Sequence, residues 1–164
     1  MSRPFLLGFA VFFLGQFVAP VGRQEPAPQP IRYNHAKHLA AGLTCTDCHT
    51  GAQSEEHATL PALAVCIGCH AAPLTKSPEE AKLRALADAG GELNWTQVTR
   101  VPPHVYFSHR RHTAIAGISC AACHGPMEQV TAPPERPFRN WVMQTCLDCH
   151  RQKGAGTDCN DCHR

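Results

Sequence analysis

The sequence is poor in the residues from which a hydrophobic core is normally built. Aromatic residues make up 7% of its 164 residues, and no long run of apolar periodicity follows residue 30. The chain contains 14 prolines and 12 glycines, which leave most of the intervening segments too short for long helices or a regular sheet. Another component must therefore supply the buried apolar mass.

The charge pattern of a nucleic-acid-binding protein is also missing. The formal net charge is only +2, and no run of lysine or arginine with interleaved aromatic residues is present. No cysteine lies near residue 20, where a lipid anchor would be attached. These absences argue against a nucleic-acid partner and against a lipid-anchored protein.

All ten cysteines belong to units of the form Cys-x-x-Cys-His. They are site 1 (Cys45, Cys48, His49), site 2 (Cys66, Cys69, His70), site 3 (Cys120, Cys123, His124), site 4 (Cys146, Cys149, His150) and site 5 (Cys159, Cys162, His163). In such a unit the two thiols bind a porphyrin as thioethers, and the histidine becomes the proximal iron ligand. Disulfides, redox pairs and zinc knuckles do not require a histidine after every cysteine pair. The sequence therefore predicts five c-type haems.

Five haems in residues 31–164 would themselves form most of the core. The predicted fold class is a multihaem cytochrome c with little regular structure, in which short α-helices wrap around the haems. We expect the chain not to fold without haem, because a tightly bound group stabilises only the native state. The ten haem propionates would also make the holoprotein more acidic than the polypeptide charge of +2 suggests.

Residues 1–22 are predicted to form an N-terminal membrane anchor. The 19 residues from Pro4 to Gly22 carry no charged side chain, and as a helix they would span roughly 28 Å. A cleaved signal peptide is the alternative, although no Ala-x-Ala site is evident. Residues 23–30 read as a proline-rich tether. Because such haems are attached on the oxidising side, we expect a single-pass protein of the inner (cytoplasmic) membrane with its haem domain in the periplasm.

The haem domain contains an internal repeat, residues 33–70 and 106–163. The segment from Tyr33 to His49 is answered by the segment from Tyr106 to His124, and each has His-x-x-His seven or eight residues before a haem motif. Between the two copies, residues 77–89 are predicted to be helical, with Ser77 as N-cap and Glu80 closing a capping box. A second helix is predicted over residues 140–151.

Six further histidines are candidates for the distal ligand on the other side of each iron. They are His35, His38, His57, His104, His109 and His112. Residues three apart on a helical turn project from the same side, so the pairs His35/His38 and His109/His112 are predicted to serve two haems each. His57 and His104 remain alternatives for the fifth place. This surplus favours six-coordinate iron, which suits electron transfer better than catalysis, because an enzyme leaves iron an open position.

Several other side chains are candidates for direct contact with the haems. A thioether ligand from Met127 or Met143 would raise the potential of one haem, but packing against a porphyrin is the more ordinary use of methionine. The aromatic residues Trp95, Tyr106, Phe107 and Trp141 are expected to pack on haem faces and edges.

The order of the segments YNHAKH, CTDCHTG, HATLPALAVCIGCH, NWTQVTRVPPHVYFSHRRH, CAACHG and VMQTCLDCHR resembles the pentahaem cytochrome c subunit of alternative complex III. It is also similar to multihaem subunits of related quinone reductase complexes, within the class III-like multihaem cytochromes. Thr99 stands where that family often has a histidine. A rival family, the tetrahaem quinol-oxidising anchors, has Cys-x-x-Cys-His-x-Met at its first site, whereas His49 is followed by Thr50 and Gly51.

The resemblance implies a non-catalytic electron-transfer subunit of a respiratory or photosynthetic quinol-oxidising complex. Its partners would be iron–sulfur and quinone-site subunits, with a mono-haem cytochrome or similar electron acceptor. The alternatives are a stand-alone membrane-tethered shuttle and a small multihaem reductase. The reductase is disfavoured because no lysine replaces a proximal histidine.

Overall fold

The structure is a computed structural model, and it describes residues 27–163. The predicted anchor, residues 1–22, and the first part of the predicted tether lie outside the described residues. Within residues 27–163, no helix combines the length and the apolar character that crossing a bilayer requires.

Short helices separated by irregular segments make up the described part of the chain. The α-helices are α1 (His35–Ala40), α2 (Cys45–Cys48), α3 (Leu63–His70), α4 (Pro78–Asp88), α5 (Cys120–His124), α6 (Met143–Lys153) and α7 (Cys159–Cys162). Single 3-10 turns cover Thr50–Ala52 and Met127–Gln129, and Arg111–Ile115 forms a π-helix. In residues 27–163 the β-structure is limited to one antiparallel bridge between Val105 and His163. The expected fold of short helices with little strand is confirmed.

The apolar core of the described residues is small. Only Ile31, Ala52, Leu83 and Leu93 are buried hydrophobic residues, and no large side chain among residues 27–163 is completely buried. Three of the four form one cluster against which Trp95 packs, and the Trp95 indole donates a hydrogen bond to the Pro61 carbonyl at 2.9 Å. The polypeptide alone therefore supplies little of the core, as its composition predicts.

Helix α4 begins and ends where the sequence predicts, but its first turn is capped differently. The Ser77 hydroxyl accepts from the Glu79 amide at 3.3 Å, and Gly90 ends the segment with a φ of 66°. Glu80 does not close a capping box, so that prediction is wrong. Its carboxylate accepts instead from the Leu74 and Thr75 amides at 2.6 and 2.8 Å. The reason is burial: the side chain turns inward, where the preceding loop offers two unpaired N–H donors.

Helix α6 begins at Met143, three residues later than predicted, and continues two residues further, to Lys153. Its N-cap, Val142, is extended, while the Asn140 carbonyl accepts from the Thr145 hydroxyl at 2.8 Å. Gly154 adopts the left-handed conformation that commonly follows a helix. The chain therefore enters α6 through an extended segment that is hydrogen-bonded to the first turn of the helix.

Between the distal histidines and the haem motif, the second copy of the repeat is one residue longer than the first, and the π-helix accommodates the extra residue. Cys45 follows His38 by seven positions, whereas Cys120 follows His112 by eight. In the first copy the Leu43 amide donates to the His38 carbonyl at 3.2 Å. In the second copy, the corresponding bond runs from Ile118 to the His112 carbonyl, at 3.0 Å. A single inserted residue in a helix commonly forms such a π-bulge, so both copies deliver their haem motif at an equivalent place.

Candidate haem-binding sites

Each Cys-x-x-Cys-His unit lies on or at the end of a short helix. The proximal histidines of sites 2, 3 and 4 belong to α3, α5 and α6, whereas His49 and His163 immediately follow α2 and α7. A helical turn brings the second cysteine and the histidine to neighbouring positions. All ten cysteines are free thiols, so no disulfide competes with thioether formation. Three proximal histidines therefore lie on a short helix, and the other two directly follow one.

Four proximal histidines lie opposite a histidine from a distant part of the chain. The ring centroids are 6.0 Å apart for His38 and His70, 6.3 Å for His109 and His124, 6.2 Å for His112 and His150, and 5.6 Å for His104 and His163. The planes of the second and the fourth pair are nearly parallel, at 6° and 16°. Four of the five motifs therefore have a second imidazole facing the first.

His35 lies near enough to His49 for the two rings to interact electrostatically, which makes it the candidate partner at site 1. Burial lowers the pKa of His35 to about 4, and the next largest contribution comes from His49. Burial also lowers the pKa of His109 and of His124. Neutral imidazole is the form that binds a metal, so these environments keep the rings in their ligating state below the usual pKa of histidine.

The spacing of the pairs fits a metal between the two rings. If an imidazole nitrogen binds a metal at about 2 Å and the ring centre lies about 1 Å beyond it, two opposed ligands have centroids roughly 6 Å apart. The observed separations of 5.6–6.3 Å match that distance. The residues present therefore fit six-coordinate haem iron with two histidine ligands.

The outer nitrogens of these rings are held by the backbone. Nδ1 lies 2.6–2.8 Å from a carbonyl oxygen in four rings: His38 on Asn34, His49 on Thr59, His112 on Ser108 and His150 on Gly156. Nδ1 of His109 lies 3.2 Å from the Glu56 carbonyl and also 3.2 Å from the Ala58 amide, which donates to it, so the backbone does not fix the tautomer of that ring. If Nδ1 carries the proton and donates it in the other four rings, Nε2 is left as the metal-binding atom. In those four rings the backbone thus favours the tautomer that haem ligation needs.

His70 differs, because a carboxylate faces its outer nitrogen. Nδ1 of His70 is buried and makes no well-aligned hydrogen bond, while Oε1 of Glu80 lies 3.4 Å away. Hydrogen bonds from the Thr75 hydroxyl, the Leu74 amide and the Thr75 amide, with a smaller contribution from the nearby His70 ring, lower the pKa of Glu80 to about 2. The Arg84 guanidinium also donates to Oε1, at 2.9 Å. The proximal histidine of site 2 therefore faces an anion where those of sites 1 and 4 have a carbonyl.

One aromatic ring contacts both histidines of each distal pair, and we call these two rings the aromatic brackets. Tyr33 stacks on His38 at 4.4 Å and meets His35 edge-on at 4.7 Å. Phe107 stacks on His112 at 4.7 Å and meets His109 edge-on at 4.9 Å. The structural counterpart of Tyr33 is therefore Phe107, and not Tyr106, where the sequence repeat was begun. Such contacts fix ring orientation at short range.

His104 and His57 occupy different places relative to the motifs. The bridge between Val105 and His163 holds the His104 loop against site 5, and the Tyr106 amide donates to the Cys162 carbonyl at 2.8 Å. His57 is exposed, and within residues 27–163 its ring stacks on no proximal histidine. Its neighbour Glu56 accepts from the His109 amide at 2.9 Å. The segment around His57 thus caps the helical turn that carries His109.

The thiols of neighbouring sites affect each other's pKa, which shows which sites lie next to each other. Burial and then the Cys120 thiol raise the pKa of Cys45, linking sites 1 and 3. Burial and then Cys48 raise the pKa of Cys66, linking sites 1 and 2. Burial and then Cys162 raise the pKa of Cys146, linking sites 4 and 5. The pKa of Cys123 in site 3 is raised chiefly by burial, with a smaller contribution from Cys149 in site 4. The sites are therefore neighbours in the order 2, 1, 3, 4, 5, and we call this order of neighbours the row.

Met143 is not required as an iron ligand, because its side chain is 64% exposed and His150 of site 4 already faces His112.

Some features of the sites were not predicted from the sequence. The role of Glu80 beside His70 was not anticipated, because a capping-box pattern explains that glutamate equally well. The aromatic brackets could have been found by aligning His35/His38 directly on His109/His112, which places Tyr33 opposite Phe107.

Comparisons with known proteins agree with this arrangement. Residues 105–164 match the family described as cytochrome c7 and related cytochrome c. The chain is 34% identical over 126 residues to the menaquinone reductase multihaem cytochrome c subunit of Nitratidesulfovibrio vulgaris strain Hildenborough, covering 75% of this chain and 59% of that protein. It is also 34% identical over 61 residues to a cytochrome c7 of Geobacter metallireducens, covering 37% of this chain and 63% of that protein.

The chain thus spans less than two thirds of the length of these curated relatives. Sequence similarity and the paired histidines lead to the same assignment. Residues 105–164 are similar to cytochrome c7 and related cytochromes c, and the chain is homologous to a multihaem cytochrome c subunit of a quinone reductase.

Proposed function

We propose that the protein is a membrane-anchored pentahaem cytochrome c that transfers electrons within a quinol-oxidising complex similar to alternative complex III. The observation that carries this proposal is that four proximal histidines each face a different distal histidine, with His35 as the proposed partner of the fifth, His49. If each iron is held between two such rings, no open position would remain for a substrate. The subunit itself is therefore not a catalyst, and quinol chemistry belongs to partner subunits.

Each class of residue has a separate role in this function. The ten thiols of sites 1–5 attach five haems, which supply reversible one-electron oxidation and reduction. The proximal histidines are His49, His70, His124, His150 and His163, and their distal partners are His35, His38, His109, His112 and His104 in the same order. Backbone carbonyls hold five of these rings by Nδ1, which limits their reorientation when the charge on the metal changes.

The order of the sites supports conduction from one end of the domain to the other. Site 2 and site 5 lie at opposite ends of the row 2, 1, 3, 4, 5. Partner subunits would then exchange electrons with these two ends. Iron–sulfur and quinone-site subunits and a mono-haem cytochrome or similar acceptor are the proposed partners, and the named menaquinone reductase relative supports a quinone-linked complex.

Haem stoichiometry and spin state test the core of this proposal. We expect protein matured in its native host to contain five thioether-bound haems, measured as the pyridine haemochrome per polypeptide. The ferric protein should show low-spin spectra in electron paramagnetic resonance. Fewer than five haems, or a substantial high-spin fraction in the intact protein, would overturn it.

Membrane attachment and assembly need separate measurements. Mass spectrometry of the protein from native membranes distinguishes an uncleaved anchor at residues 1–22 from a cleaved signal peptide. Extraction in mild detergent followed by size-exclusion chromatography then separates the two modes of function. Stable co-migration with quinone-site and iron–sulfur subunits is expected, whereas an isolated haem protein would favour the stand-alone shuttle.

A further inference from the structure

The surroundings of the outer ring nitrogens single out site 2. Five of the ten paired histidines hold Nδ1 near a neutral backbone carbonyl. Among the described residues, His70 is the paired histidine for which a carboxylate lies within ion-pair distance of the ring, with Oε1 of Glu80 at 3.4 Å from Nδ1. The proximal ligand of one end of the row therefore has an environment unlike the others.

Glu80 is built into this position. Its side chain is only 4% exposed, and its two oxygens accept from the Leu74 amide at 2.6 Å, the Thr75 amide at 2.8 Å and the Thr75 hydroxyl at 2.5 Å. Helix α4 contacts helix α3, which carries His70. The carboxylate is thus held beside the ring by the loop and by two packed helices.

We propose that Glu80 is a positioning residue that lowers the reduction potential of the haem at site 2 by accepting a hydrogen bond from Nδ1 of His70. This inference rests on the proposed function, because it requires Nε2 of His70 to bind iron. The buried Nδ1 atom then carries a proton and needs an acceptor. A small rotation of the ring toward Oε1 supplies one.

The direction of the effect follows from electrostatics. A carboxylate acceptor increases the basicity of an imidazole ligand more than a carbonyl does, and its negative charge favours ferric over ferrous iron. Low solvent exposure strengthens both effects, because the effective dielectric constant is lower there. Site 2 should therefore have a lower potential than it would with a neutral acceptor.

Arg84 opposes the effect of Glu80 on the reduction potential of site 2, so replacing Arg84 should change that potential in the opposite direction. Its guanidinium donates to Oε1 of Glu80 at 2.9 Å and so withdraws negative charge from the oxygen that faces His70. Replacing Arg84 by glutamine removes that competition and a nearby positive charge. The potential of site 2 should then fall, opposite to the change caused by neutralising Glu80.

The test is a spectroelectrochemical titration of the holoprotein with Glu80→Gln, Arg84→Gln and the control Glu79→Gln. The one carbonyl oxygen of glutamine can still accept from the Thr75 amide and hydroxyl in place of Oε2, whereas the Leu74 amide loses its acceptor, so thermal stability is measured for each variant. In Glu80→Gln, one of five transitions is expected to shift to higher potential. In Arg84→Gln the same transition should shift to lower potential. Glu79 lies one residue away but pairs with Lys82 at 2.6 Å and faces no histidine, so its variant should leave every transition in place.

A second readout separates tuning from a structural role. The hyperfine-shifted proton resonances of the His70 ring in the ferric protein should move in Glu80→Gln while those of the other ligands stay. If Glu80→Gln lowers thermal stability but leaves all potentials and resonances unchanged, the inference is overturned and Glu80 is structural only. Failure of the proposed function is distinguishable, because the wild-type protein would then lack five low-spin haems.

Discussion

The imidazole rings of His104 and His163 lie with their centroids 5.6 Å apart and their planes at 16° to each other. The two residues come from segments distant in sequence, and the bridge between Val105 and His163 joins those segments directly. This contact distinguishes His104 from His57, which the sequence left as an equal alternative. Both side chains are exposed, so exposure alone would not have separated them.

Replacement of His104 should therefore affect one haem, and replacement of His57 none. In His104→Ala we expect one of five haems to become high-spin, since the distal position of site 5 loses its ligand. Electron paramagnetic resonance and the absorbance of the ferric protein measure the change. The matched variant His57→Ala should keep a fully low-spin spectrum. The reverse result would make His57 the distal ligand.

The aromatic brackets around the distal pairs should contribute to stability. Phe107→Leu removes two ring contacts. Tyr33→Leu removes three, because Tyr33 also meets Trp95 edge-on at 6.5 Å. Each contact is worth about 0.5–1.5 kcal/mol beyond burial. We expect each variant to lower the midpoint of thermal unfolding, followed by haem absorbance. Tyr33→Phe keeps the ring contacts and matches the residue of the second copy, so it should stay close to the wild type. A loss in Tyr33→Phe as large as in Tyr33→Leu would point to the hydroxyl instead of the ring.

One glycine lies in the turn that follows each distal histidine pair, Gly42 in the first copy and Gly117 in the second. Gly42 and Gly117 have φ values of 92° and 64°, and a Cβ on either would meet no atom within 4 Å. Substitution by alanine should therefore cost about 1–2 kcal/mol through backbone strain alone. Gly68 is the control, because its surroundings are equally open but it lies within α3 without a positive φ. Alanine there should be neutral or stabilising in thermal unfolding, and a uniform response of all three would contradict the strain argument.

The extra residue of the second copy should be dispensable. Deletion of Ala114 restores the seven-residue spacing from histidine to cysteine seen in the first copy, and the π-helix should become α-helical. We expect the deletion variant to retain five haems in the pyridine haemochrome assay. Deletion of Ala41, which shortens the first copy below that spacing, is the comparison and should reduce haem incorporation. Equal haem loss in both variants would show that the π-bulge is required.

The haem motifs and the sparse core could be predicted from the sequence because both depend on local properties. A cysteine pair two positions apart, followed by histidine, carries its own geometry wherever the chain places it. The paucity of buried side chains, of which Ile31, Leu83 and Leu93 form the main cluster, follows from composition. Helix α4 was also predictable, since Ser77, Pro78 and Gly90 mark its ends independently of the fold.

The fate of Glu80 shows where local reasoning stops. Its position three residues after Ser77 is typical of a capping box, yet the buried carboxylate bonds the Leu74 and Thr75 amides and faces His70. Unpaired donors in a neighbouring loop and a histidine from the adjacent helix outweighed the local cap. Such competition depends on which helices pack together.

The motifs specify where haem is attached and which histidine is proximal, because these relationships join neighbouring residues through the chain itself. They do not specify which distal histidine faces which motif. The pairing of His104 with His163, the order of the five sites in one row and the contact of Glu80 with His70 come from the packing of segments far apart in sequence. A distal ligand approaches the metal through space, so its identity is set only when those segments fold against each other.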